Sequence, residues 1–266
     1  MSNDSAQTSI ASEVATARPA VPIGAGYRFG LSFTAGLAAG ALAFVALFAM
    51  ARNGLEFRVP EEIAVIREKR QLSLEEAAMV VKAERKQAYQ NTALTVAVFG
   101  AFVGGLLGMI AGVSRKSLFA SSAGLFGGTV VGAGAGAVGG LVDLYALEWL
   151  WPMGFDHSYK AMVGHSAAFL IAGVGIGGAA GLAARQVPQT LGVVLAAALI
   201  AGLIYPGVAA ALFPMLNTDA AIPEGALAQL LWLILPAGLM GLAMGRTRSP
   251  LLPATRTRRW RLRASV

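Results

Sequence analysis

The chain has 266 residues, 56% of them hydrophobic and 13% charged, with a mean hydropathy of +0.64, a balance that excludes an ordinary soluble globular fold. Its formal net charge is +7. Residues 246–266 hold seven Arg and no acid, and elsewhere Lys+Arg and Asp+Glu are equal, so there is no basic folded surface for nucleic acid. The absence of Cys removes disulfides, thiolate metal sites and thiol chemistry.

Residues 1–28 are small, polar and unpatterned, as expected of a disordered leader. Six apolar runs of membrane-spanning length follow, at about 29–50, 91–113, 118–142, 161–183, 190–213 and 226–245. They predict an all-α polytopic membrane helix bundle of six Gly/Ala-rich transmembrane helices, with the membrane domain at 29–245. The first run ends at Ala49-Met50-Ala51, which looks like a signal-peptidase site. A secretory signal has an apolar core of only about 7 to 15 residues, so this longer run reads as an uncleaved anchor.

Residues 52–90 interrupt the pattern with eight Lys/Arg and seven Glu. Pro60, Glu61 and Glu62 suit the start of a short helix, and Arg67, Lys69 and Arg70 suit its end. Ser73-Leu74-Glu75-Glu76 reads as a capping box that starts a second helix near Leu74. With no Gly or Pro before Asn91, that helix is free to run on into the second span. The insert is the expected surface for a protein partner, with Glu61, Glu62, Glu75, Glu76, Lys82, Arg85 and Lys86 on its docking face.

Short turns at 114–117 and around Arg185 join spans two to three and four to five as antiparallel hairpins. Gly100–Ala111 in span two is echoed by Gly173–Ala184 in span four, with glycines at matching places, as a duplicated hairpin would give. The side holding both termini and both short turns has 12 Lys/Arg and 2 acids, against 9 and 12 on the other. This predicts N and C termini in the cytoplasm, in a bacterial cytoplasmic (inner) membrane. The tail residues Arg256, Arg258, Arg259, Trp260, Arg261 and Arg263 are expected to meet anionic lipid.

Several motifs have a plain reading beside a chemical one. Gly134-x-Gly136-x-x-Gly139 and Gly173-x-Gly175-x-x-Gly178 satisfy the dinucleotide pattern, but phosphate recognition needs those amides free in a turn between strand and helix. Inside apolar helices they are packing glycines, and no cofactor is expected. Gly36 and Gly40, Gly104 and Gly108, Gly132 and Gly136, Gly177 and Gly181, and Gly241 and Gly245 each lie four apart and make grooves for close helix approach. A groove turned outward would serve a homo-oligomer.

Asp143, Glu148, Asp156, His157 and His165 are expected near one membrane surface as a polar collar. Two His with carboxylates suit a divalent metal, with Asp143, Asp156, His157 and His165 as the candidate ligands, but no pair has metal-ligand spacing on one helix face. His165, about one turn inside span four, is the best intramembrane candidate. Pro206 and Pro236 are candidate kinks or gates. No charged residue lies near the midpoint of a span, which argues against proton-coupled antiport. Among the function classes, a non-enzymatic assembly or partner-binding protein leads, a channel or facilitator for a small solute or ion follows, and a membrane enzyme built on the collar comes third.

Overall fold

The computed structural model of the chain describes residues 25–69 and 71–247; the first 24 residues, Arg70 and the tail cations from 248 onward lie outside the described residues. The described chain contains helices and no strand: α1 (Ala25–Arg52), α2 (Glu61–Arg67), α3 (Leu74–Val113), α4 (Leu118–Leu150), a single 3-10 turn (Trp151–Met153), α5 (His157–Ala184), α6 (Val187–Leu212) and α7 (Ala226–Gly245). Six of these helices, all but α2, are long and apolar enough to cross a membrane. The protein is an all-α, multi-pass integral membrane protein.

Neighbours follow connectivity: α3 packs on α4, α4 on α5, α5 on α6, and α6 on α7. The ring closes through α1, which lies between α7 and α3, while α3 and α5 also touch across it. Between α3, α5, α6 and α7 sits the core, with Phe99, Val103, Leu107, Phe169, Ile176, Tyr205, Trp232 and Met240 all fully buried. By contrast α4 and α1 turn much of their length outward, exposing Phe119, Phe126 and Val130 on the first and Leu42, Val45 and Phe48 on the second. Such residues face lipid at little cost.

Two seams are built from backbone rather than from side chains. Along α3 and α4, Gly112 faces Ala120, Gly108 faces Gly124, Gly104 faces Gly128, Gly100 faces Gly132, and Gly136 and Gly140 continue the series against Val96 and Thr92. Each step of four along one helix meets a step of four back along the other. A Cβ at any of these glycines would overlap a backbone atom of the partner helix. The second seam joins the first helix to the last: Gly36 lies on Ala237, Gly40 on Leu233, Gly241 on Ser32 and Gly245 on Phe29. In lipid, where apolar burial does not favour association, this close approach supplies van der Waals contact.

The α5–α6 hairpin repeats the idea with a different partner surface. Gly177 faces Leu191 and Val194, and Gly181 faces Val187. The corresponding glycines of α3 and α5 thus meet the next helix in both hairpins, against glycine in one and against Val187, Leu191 and Val194 in the other.

Local signals set several boundaries. Ser73 Oγ accepts from the Glu76 amide at 3.2 Å while the Glu76 carboxylate accepts from the Ser73 amide at 3.0 Å, so both arms of the capping box are made. From there α3 runs unbroken for 40 residues, about 60 Å. Pro60 precedes α2 rather than opening it, one residue from expectation. Helix α4 does not stop at Val142 but continues to Leu150, because no breaker intervenes before Pro152. That extension carries Asp143 into the bundle.

Candidate functional site

The expected collar separates into three groups. Glu148, near the end of α4, accepts hydrogen bonds from Arg85 Nε at 2.8 Å and Tyr89 Oη at 2.8 Å, with a second guanidinium bond from Arg85 Nη2 to the other carboxylate oxygen. This ties the upper part of α3 to α4. Asp156 and His157 remain exposed at the start of α5, where the His157 ring meets Trp151 edge-on at 5.5 Å. Trp149, Trp151, Tyr145, Phe155 and Tyr159 are also exposed here, a rim that suits the headgroup level.

Asp143 and His165 form the third group, and here the structure departs from a hydrated collar. Both are completely buried, with His165 Nδ1 3.4 Å from Asp143 Oδ2. Asp143 lies seven residues inside the end of α4 and His165 eight residues inside the start of α5, roughly 10–12 Å of helix. Gly164 makes this possible, since a Cβ there would overlap Asp143 Oδ1. No group of three or more His, Asp or Glu side chains gathers among the described residues. The four candidate metal ligands are therefore divided between a buried pair and an exposed one.

Trp232 from α7 completes the buried cluster by donating its indole N–H to His165 Nδ1 at 3.3 Å. Around the imidazole stand Tyr205 of α6, edge-on at 5.3 Å between centroids, and Phe169 of α5 at 6.3 Å. Tyr205 spends its hydroxyl on the Ala228 carbonyl, at 3.4 Å. Asp143 Oδ1 and Oδ2, His165 Nε2 and the neighbouring Ser166 Oγ have no hydrogen-bond partner. Buried polar atoms left this way cost free energy.

Pro206 and Pro236 are buried within α6 and α7. Each lacks the N–H that would bond the carbonyl four residues earlier, which falls on Gly202 and on Trp232 itself. Gly202 in turn packs directly on Ser166, beside His165. Each proline therefore leaves one carbonyl beside the cluster without its helical N–H partner. Neither Trp232 nor Tyr205 carries a charge or belongs to a recognisable motif, although Tyr205 adjoins Pro206.

A cleft of about 220 Å³ lies between α1, α3 and α7, lined by Leu47, Phe48, Glu56, Asn91, Thr95, Gln229 and Trp232 among others. It belongs to the side of the membrane that carries the insert, and Trp232 forms part of its wall while bonding His165 on the other. Of the packing glycines, Gly36, Gly40, Gly104, Gly108, Gly132, Gly136, Gly177, Gly181, Gly241 and Gly245 all sit against a neighbouring helix, whereas Gly127 and Gly134 of α4 and Gly178 of α5 have open space. Both dinucleotide-like patterns lie inside helices.

The insert folds as α2, docked on the first turns of α3. Asn91 pairs with the Phe57 backbone in both directions, accepting from its amide at 2.9 Å and donating to its carbonyl at 3.0 Å, and Gln87 donates to the same carbonyl at 3.0 Å. Glu76 is held by Lys69, and Glu84 by Arg67 at 3.5 Å. Of the expected docking face, Glu76 and Arg85 are thus engaged internally, while Glu61, Glu62, Glu75, Lys82 and Lys86 are exposed. Leu74, Ala78 and Val81 are exposed beside them on one face of α3. The chain matches no protein-family model, no curated protein and no solved structure.

Proposed function

We propose that this is a non-enzymatic, partner-binding membrane protein whose bundle holds a charged helical stalk clear of the bilayer for another protein. One observation carries the reading: α3 is a single helix whose first turns are charged and present one exposed face, while its second half is clamped by α4 and α5. Any load on the stalk passes into the bundle without a hinge. The partner would meet Leu74, Ala78 and Val81, at helix spacing, flanked by Glu75, Lys82 and Lys86. On the Lys/Arg asymmetry, the bundle sits in a bacterial cytoplasmic membrane with both termini cytoplasmic and the stalk on the opposite side. The Arg-rich tail would then rest on anionic cytoplasmic lipid.

Photo-crosslinking residues placed singly at Ala78 and Val81 in the native membrane test this. A discrete adduct of one mass at both positions, lacking at lipid-facing Phe126, is expected. No adduct at either position in an inserted, folded protein would refute the reading.

A second reading, a facilitator for a small solute, draws on the cleft that ends at Trp232. Its passage would have to open the aromatic packing of Trp232, Tyr205 and Phe169. Liposome flux that is unchanged in Pro236→Ala would remove Pro236 as its gate.

A further inference from the structure

The buried cluster contains a conflict that one proton resolves. An imidazole Nδ1 has a single in-plane position, which holds either a lone pair or a hydrogen. With the lone pair, Nδ1 accepts from the Trp232 indole, the bond seen at 3.3 Å, and offers Asp143 nothing. With a hydrogen, it can no longer accept from Trp232, and it can turn to donate to Asp143 Oδ2, which lies 3.4 Å away and has no hydrogen-bond partner. Two partners therefore compete for one atom.

Burial raises the stakes of that competition. Asp143 is fully enclosed and neither carboxylate oxygen has a hydrogen-bond partner, so an unprotonated carboxylate there would be uncompensated. A proton held between the carboxyl and the imidazole leaves the pair with no net charge, which an apolar interior accepts more readily. Gly164 lets Asp143 lie directly against α5, so the site is shaped for the carboxyl.

We propose that Asp143 and His165 form a proton-binding site inside the membrane bundle, whose occupancy is read by Trp232. Proton uptake on Nδ1 makes the imidazolium–carboxylate bond and releases the indole; proton loss returns Nδ1 to the indole. This goes beyond the partner-binding reading and does not depend on it.

The surroundings leave little else to titrate. Tyr205 of α6 faces the imidazole, and the loop between α6 and α7 carries Asp219. The membrane part of α3 and all of α7 contain no ionisable side chain. On α5 itself, Lys160 donates to the Trp151 carbonyl at 3.3 Å, and on α4, Glu148 is engaged by Arg85 and Tyr89. Glu56, from the segment after α1, lines the cleft on the other side of Trp232.

Access has a side. The cleft reaches Trp232 from the stalk side, whereas roughly 28 Å of α5 separates His165 from the other surface. Protons should therefore exchange with the stalk-side compartment.

His157 and His165 are the chain's two histidines, so nitrogen-15 histidine labelling yields two ring systems. The full chain in phosphatidylcholine/phosphatidylglycerol nanodiscs would be followed by solid-state NMR from mildly alkaline to acidic pH, with the Trp232 indole assigned by Trp232→Phe. Expected is one step in which His165 Nδ1 gains a proton and the Trp232 indole N–H loses its acceptor shift. Asp143→Asn should move that step to lower pH or abolish it while the indole bond persists. The native titration decides even if that variant does not fold. If Nδ1 remains an acceptor for Trp232 throughout, or if it titrates while the indole does not move, the proposal is overturned. In oriented liposomes, a step that follows pH on the termini side would overturn the assigned access.

Discussion

Helix α3 is held on two faces by different means, and the contrast explains how this bundle coheres in lipid. Toward α4 it presents Gly100, Gly104, Gly108 and Gly112, which let two backbones touch. Toward α5, α6 and α7 it presents Phe99, Val103 and Leu107, which reach a core shared with Phe169, Tyr205 and Trp232. The first face has almost no side chain to rearrange, so it fixes register and tolerates nothing larger. The second has volume to redistribute and leaves room for a polar cluster at its stalk-side end.

Substitutions on the two faces should therefore fail differently. The largest effect is expected at Gly104→Leu, where a side chain must replace contact with the Gly128 backbone. The two helices cannot stay together, and the loss should reach or exceed the ~3 kcal/mol upper range of ordinary overpacking. Loss of a folded species in mild detergent is the readout, with Gly127→Leu, facing open space, as the tolerated control. A folded Gly104→Leu protein would break the distinction.

Phe99→Ala, on the core face, should cost less than the ~3–5 kcal/mol typical of such changes in water-soluble cores. In lipid the transfer contribution is small, because the surrounding tails are as apolar as the core, and the cavity term dominates. Thermal unfolding in nanodiscs would measure it. A loss larger than that of Gly104→Leu would reverse the ranking of the two faces.

Smaller effects are expected at the start of α3 and along the outer side of α4. Ser73→Ala removes one arm of the capping box and should cost about 1 kcal/mol, visible as faster amide exchange confined to the first turn of α3. Gly134→Ala points into open space and should be neutral or stabilising by ~0.5–1 kcal/mol, whereas Gly132→Ala, two residues away, meets the Gly100 carbonyl and should destabilise. Equal effects for the two alanines would deny that the seam is specific.

The sequence announces some of this architecture openly. Apolar length marks the six spans, and Ser73 with Glu76 marks the start of α3 because both arms of the motif are local. The separation of Gly132 from Gly134 is harder to read, since both belong to the same Gly-rich run and only the partner helix distinguishes them. The Asp143–His165 contact was obscured by a boundary: polar residues after Val142 resemble an interface, and the helix continues through them to Pro152. Given a tight α4–α5 hairpin about Gly154, reflection through that turn brings Asp143 opposite Gly164 and His165. Trp232 had no comparable signal, because its contact depends on α7 reaching α5 across the ring.

The closing seam between α1 and α7 also fixes an order of events during synthesis. The first membrane helix has its glycine groove, Gly36 and Gly40, made for the last one, and about 190 residues separate Arg52 from Gly245. At ordinary translation rates the groove faces lipid for roughly 10–40 s before its own partner arrives. During that interval a second nascent chain offers the same surface, so crowded synthesis on one messenger would favour exchange of α1 between neighbouring copies.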